Sequence, residues 1–183
     1  KKIHRITTHS KMVLITSLLL IVGGAGVIFI FEKYNTLSAD GLTLSIMDSL
    51  FMSVTSRTAG FNTLRVSELA NPTIFAVIIL MFIGASPGST GGGVKTSTLA
   101  VIWALIISRY KGRDHVFAFR RTIPEETISQ AQAILATSMA LVMVVTMFLL
   151  VSEVRQGTGV LMERDYFVSS FFEVISAFGT VGL

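Results

Sequence analysis

Two tetrapeptides in this sequence have the makings of a cation-binding backbone: Thr58-Ala59-Gly60-Phe61 and Thr180-Val181-Gly182-Leu183, 122 residues apart. A potassium ion stripped of its water must be offered oxygens in its place, and main-chain carbonyls supply them without a fixed net charge. Glycine at the third position permits the φ values that turn successive carbonyls the same way. A single T-x-G-x occurs readily by chance. Two copies, each behind a short apolar stretch, carry far more weight.

A second group of residues interrupts an apolar run. Gly84-Ala85-Ser86-Pro87-Gly88-Ser89-Thr90-Gly91-Gly92-Gly93 holds five glycines and one proline in ten positions, so it cannot continue a regular helix. Its backbone groups need partners, and the hydroxyls of Ser86, Ser89 and Thr90 supply some. Lys95 follows after Val94. It can repel cations from a closed path, bind a carbonyl or carboxylate to hold the insert, or reach for the head groups. The segment is no phosphate loop: Gly88 and Gly93 are followed by Val94, and only then by Lys95. Gly24-Ala25-Gly26 also fails as a dinucleotide fingerprint and instead suggests close helix packing.

Arg57 touches the first quartet. A bare cation beside a cation path would oppose it, so Arg57 is expected to turn away towards a carboxylate or carbonyls. Asp48 and Glu173 lie in the apolar stretches ahead of the quartets, where they are expected to buttress them by hydrogen bonds in preference to drawing in cations. Catalytic chemistry finds no support. The sequence has no cysteine, three scattered His, no Ser/His/Asp triad, and no carboxylate dyad or metal cluster at a usable spacing.

The elements that must hold these residues belong to a membrane protein. Half of the 183 residues are apolar (51%) and only 14% are charged, against roughly 25% in soluble domains. Met12–Phe31 and Thr127–Ser152 are uncharged runs of 20 and 26 residues, and about 20 apolar residues in a helix cross the hydrocarbon. Residues 72–108 form a third run of 37 positions with one charge, too long for one crossing. It is expected as helix 72–83, the insert at membrane depth, and helix 95–110. The stretches ahead of the quartets, Thr43–Ser56 and Asp165–Phe178, are about 21 Å long as helices. Each starts near a candidate N-cap (Asp40 or Thr43; Asp165) and suits a helix that enters part-way and returns as extended backbone lining a cavity.

Charge placement orients the chain. Nine Lys and Arg fall in residues 1–11 and 109–126, among them Lys1, Lys2, Arg5, Lys111 and Arg120, while five fall in 32–71 and 152–183. The two basic segments are therefore expected in the cytoplasm, with both quartets outside. The +4 balance is a topology signal with attraction to membrane lipid, and no nucleic acid is implied. Shifting the chain by 122 residues lays the first span on the third as well as quartet on quartet. The repeat is parallel. That favours a channel-like path over the alternative, a secondary cation transporter with broken helices and alternating access, whose halves are usually inverted. Starting on Lys1 and ending at Leu183 within an apolar run, the sequence is expected to be a piece of a longer chain.

Three runs carry a family resemblance: Ser56-Arg57-Thr58-Ala59-Gly60-Phe61-Asn62, residues 85–96 from Ala85 to Thr96, and Ser176-Ala177-Phe178-Gly179-Thr180-Val181-Gly182-Leu183. Together they resemble the Trk/Ktr/HKT superfamily of potassium transporters, and within it the bacterial Ktr membrane subunits. The resemblance implies an all-α membrane protein of repeated M1–P–M2 potassium-channel-like units with re-entrant pore helices and filter loops. Residues 1–110 would then be one complete unit, third of four; residues 111–126 a cytoplasmic basic linker; and 127–183 the M1 and pore helix of the next unit, without its final M2. It makes Gly60 and Gly182 filter glycines, with the carbonyls of 58–61 and 180–183 facing the ion, and makes the insert with Lys95 an intramembrane gating loop. It further implies K+ as the transported ion with Na+ as an activator, no organic cofactor, and no enzymatic activity. The implied partners are the remaining units of the same chain, a second copy in a homodimer, and a cytoplasmic nucleotide-binding regulatory ring. The basic loop with Phe117 and Phe119 would offer that ring a docking surface. The implied location is the bacterial cytoplasmic membrane, crossed several times.

Overall fold

A computed structural model describes residues 7–37, 41–113, 115–118, 121–155 and 164–183. Lys1, Lys2, Arg5, the candidate cap Asp40, Phe119 and Arg120 lie outside the described residues. The described chain is helical: α1 (Thr8–Glu32), α2 (Leu42–Thr55), α3 (Asn71–Phe82), α4 (Thr96–Tyr110), α5 (Glu125–Arg155) and α6 (Arg164–Gly179). One small hairpin departs from the all-α expectation, with β1 (Phe117–Ala118) antiparallel to β2 (Arg121–Thr122).

By length and composition α1 and α5 can cross a membrane, and only 11% of either apolar window is buried. Leu14, Leu18, Leu19 and Val22 on α1, and Met143, Met147 and Phe148 on α5, are exposed. Contiguous apolar surface of this extent must be covered by hydrocarbon or further protein.

Side-chain hydroxyls fix how α2 lies on α1. The Ser45 hydroxyl donates to the Leu37 carbonyl (3.5 Å) beyond the end of α1, and that of Ser53 donates to the Ile21 carbonyl (2.9 Å) at mid-helix. So α2 runs antiparallel to α1 and stops level with its middle. The chain then turns back. By Glu68 and Ala70 it is again beside the end of α1, where the Glu68 carbonyl accepts from Asn35 Nδ2 (2.9 Å) and the Ala70 N–H donates to Glu32 Oε1 (2.8 Å). Glu32 is fully buried, and its other oxygen accepts from Asn35 Nδ2 (2.8 Å) and the Thr36 hydroxyl (2.8 Å). A carboxylate so placed caps the start of α3 and suits the positive end of its dipole.

The helix starts differ slightly from expectation. α2 is capped by Gly41 with no side-chain bond, so Thr43 lies inside the helix. Ser45, donating back to the Gly41 carbonyl (3.2 Å), holds the first turn two residues earlier than a Thr43 cap would. Asp165 likewise falls within α6, which begins at Arg164. Of the small residues in α1, Gly24 marks the helix crossing: a β-carbon there would lie 2.8 Å from Leu80 and against the Ser53 hydroxyl, whereas one at Gly26 would meet nothing.

The third apolar run is broken as expected, into α3, the insert and α4. The core between α1, α2, α3, α5 and α6 is built on Ile28, Met52, Val77, Met81, Val142, Phe172 and Ile175. A second cluster joins Met12, Val101, Val116, Ile123, Ile128 and Ala131. It brings the start of α1, α4, the hairpin and the start of α5 to one end of the molecule. Within residues 111–126, Val116 and Ala118 are buried and the Ile123 N–H donates to the Val116 carbonyl (2.8 Å).

Candidate functional site

Each quartet follows the C-terminus of a short helix that ends inside the molecule. The Ala59 N–H donates to the Thr55 carbonyl (3.1 Å) and the Val181 N–H to the Ser176 carbonyl (2.9 Å), so both quartets leave their helices through a hydrogen-bonded turn. Helix C-termini carry partial negative charge, which here is aimed at the quartets.

The quartets share an unusual backbone. Thr58 (φ 93°), Gly60 (φ 71°), Thr180 (φ 54°) and Gly182 (φ 79°) all have positive φ, and the residues between them do not. Alternation of sign is how an extended chain turns consecutive carbonyls to one side. Glycine takes this conformation freely. A threonine held there is strained, by about 1–3 kcal/mol, and the surrounding bonds must hold it. The two threonines were not foreseen as left-handed positions, because their residue type disfavours it.

Hydroxyl groups behind the quartets do that holding. Thr55 Oγ1 accepts from the Phe61 N–H (3.0 Å) and donates to the Phe61 carbonyl. Ser176 Oγ accepts from the Gly182 N–H (3.1 Å) and the Leu183 N–H (3.2 Å). Amides tied back in this way leave carbonyls to face the other side. The Leu183 carbonyl likewise accepts from the Ser176 hydroxyl (3.5 Å), as the Phe61 carbonyl does from Thr55. Glu173 is exposed, and neither it nor Asp48 makes a hydrogen bond to a quartet among the described residues.

The two quartets stand side by side. A β-carbon at Gly60 would collide with the Val181 carbonyl oxygen and come within 3.5 Å of the Gly182 carbonyl. Phe82 at the end of α3 stacks on Phe178 at the end of α6 (centroids 5.7 Å apart).

The insert folds as a loop with a pinched neck. The Val94 N–H donates to the Phe82 carbonyl (2.9 Å), and a β-carbon at Gly84 would collide with the Gly92 carbonyl. Ser86 touches Ser17 of α1 (Oγ to Oγ, 3.3 Å) and accepts from the Thr96 hydroxyl (3.4 Å). The tip, Pro87–Thr90, is exposed. The neck abuts the second quartet: the Gly92 N–H donates to Thr180 Oγ1 (2.7 Å) and the Gly93 N–H to the Phe178 carbonyl (3.1 Å). Lys95 turns back to donate to the Gly91 carbonyl, one of the roles open to it. Arg57 is half-buried and reaches the Gly84 carbonyl (Nη2, 3.3 Å), so it does turn to a carbonyl.

Residues 3–183 match the TrkH family, described as cation transport protein. The chain is similar to the Ktr system potassium uptake protein B of Vibrio alginolyticus, at 35% identity over the whole chain and 38% of that protein. It is similar to the potassium/sodium uptake protein NtpJ of Enterococcus hirae, at 35% identity over the whole chain and 39% of that protein. It also matches the Ktr system potassium uptake protein B of Bacillus subtilis, at 35% identity over 96% of the chain and 38% of that protein. It therefore spans well under half the length of these relatives. By sequence match across its length, and with a helical, largely apolar structure to suit it, the chain belongs to the TrkH family of cation transport proteins.

Proposed function

We propose that this chain forms part of a potassium uptake path through the bacterial cytoplasmic membrane, in which ions move downhill through a channel-like pore. On this reading α1, α2 and α3–insert–α4 are one M1–P–M2 unit, residues 1–110; residues 111–126 connect it to the next; and α5 and α6 are the M1 and re-entrant pore helix of that unit. Carbonyls of the quartets 58–61 and 180–183 replace the hydration shell of K+. The insert 84–93 and Lys95 form a gate on the cytoplasmic side of this filter. The remaining units of the longer protein complete the ring of oxygens, a second copy pairs in a homodimer, and a nucleotide-binding ring in the cytoplasm works the gate. Na+ acts as an activator.

The observation that carries the reading is the pair of quartets side by side, each with positive φ at its threonine and its glycine. Two such backbones at one level, each behind a helix C-terminus, make an oxygen-lined wall and no catalytic arrangement. Their parallel relation also weighs against inverted halves. The test is flux in liposomes that hold the complete protein containing this chain. An electrical potential alone is expected to drive K+ entry, one charge per ion. Flux that requires a fixed stoichiometry of a second ion would replace the pore with alternating access.

Orientation is tested separately. The start of α1, α4 and the hairpin meet at the end of the molecule away from the Ala70–Glu32 contact, so Lys111→Cys is expected to react with an impermeant thiol reagent only from inside and Asn71→Cys only from outside. The opposite pattern would remove the quartets from the outer mouth.

A further inference from the structure

The side chains of Thr180, the strained threonine of the second quartet, and of Arg57, beside the first, offer no carbonyl, yet each holds one end of the insert. Thr180 Oγ1 accepts the Gly92 N–H at 2.7 Å, and Arg57 Nη2 donates to the Gly84 carbonyl at 3.3 Å. Gly84 and Gly92 are the two sides of the neck and lie in backbone contact with each other. The contact surface leaves no slack: a β-carbon at Gly92 would stand 2.6 Å from the Phe178 carbonyl and 2.8 Å from the Thr180 methyl, and one at Gly91 would stand 2.8 Å from the Thr58 methyl. Both quartets therefore touch the insert through their threonine side chains, and the peptide groups of its neck are satisfied by the quartets' own neighbours.

We propose that Thr180 and Arg57 are positioning residues that latch the insert to the two quartets, so that insert release and quartet conformation are coupled. This rests on the reading of the quartets as a filter and of the insert as its gate. When the neck leaves, the Gly92 N–H and the Thr180 hydroxyl lose each other, and Thr180, at φ 54°, loses one of the bonds that hold it in a disfavoured conformation. Coupling of this kind is reciprocal: an ion that steadies the Thr180 backbone also steadies the docked insert. The positive charge of Arg57 is absorbed by the Gly84 carbonyl only while the neck is in place.

The test uses the complete protein in liposomes without any other protein, reading K+ entry together with the rate at which an internal thiol reagent modifies Ser89→Cys at the exposed insert tip of an otherwise cysteine-free chain. Thr180→Val keeps the shape and removes the acceptor. It is expected to raise partner-free flux and the modification rate by about 3- to 10-fold, the range that one lost hydrogen bond gives, and Thr180→Ser is expected to restore both. Arg57→Gln reads the same latch from the other end and stands in if Thr180→Val does not reach the membrane. Its expected effect has the same sign, with Arg57→Lys intermediate. Unchanged modification in Thr180→Val, or in Arg57→Gln where that variant stands in, overturns the latch. If potassium selectivity nonetheless responds to substitution of Gly60, the filter reading stands without it.

Discussion

Gly60→Ser in the complete protein is expected to cut the preference for K+ over Na+ at least about tenfold while the protein is still made and inserted. Two costs fall on the same residue. Its φ of 71° disfavours any side chain, by about 1–2 kcal/mol. Its new β-carbon would also collide with the Val181 carbonyl oxygen, so one quartet must move against the other. A tenfold change in preference needs only about 1.4 kcal/mol, which either cost supplies. Much of the strain can relax by swinging a carbonyl away from the ion, and for that reason selectivity is expected to suffer before folding does. The check is the ratio of K+ to Na+ flux under one imposed potential, alongside the amount of protein in the membrane. An unchanged ratio would mean that Gly60 does not line the path.

The second large effect is expected from the insert. Its neck is held by backbone hydrogen bonds and glycine contacts, whereas its tip, Pro87–Thr90, packs on little. A cut confined to Gly88–Thr90 keeps Gly84, Gly92 and Gly93 at the neck and leaves Thr180 and Arg57 their partners. It removes bulk from the path below the quartets. Differences of about 1–3 kcal/mol between states correspond to about 5- to 150-fold in population. Flux is expected to rise within that range and to depend little on a cytoplasmic partner, with the K+ to Na+ ratio unchanged. A fall in flux would show that the tip supports the fold instead of obstructing the path. Removing Gly91 and Gly92 as well would confuse the result, because it also breaks the contact with Thr180.

Much of the architecture was legible before any coordinates. Uncharged runs gave the positions of α1 and α5 to within a few residues, since apolar length and charge are local quantities. Pro87 and the glycines around it located the break between α3 and α4 for the same reason: a helix cannot pass through them. The 122-residue shift aligned the quartets because residue type recurs there. The caps were misread by one or two positions, as Thr43 and Asp165 show, since cap choice depends on which neighbours satisfy the first turn.

What the sequence could not state was which polar groups meet. Thr55 serves the residue six positions on, while Ser176 serves those six and seven on, so the hydroxyl behind each quartet is displaced by one residue between repeats and escapes a strict alignment. Asp48 and Glu173 looked better suited to buttressing, being charged, yet neither makes a hydrogen bond to a quartet among the described residues. The left-handed threonines, the tie from Gly92 to Thr180 across 88 residues, the reach of Arg57 to Gly84, and the burial of Glu32 under the start of α3 all depend on elements distant in the chain being brought together. Composition and spacing determine what each segment can be in a membrane. Which backbone groups remain free to face an ion is set only when packing assigns every other donor and acceptor its partner.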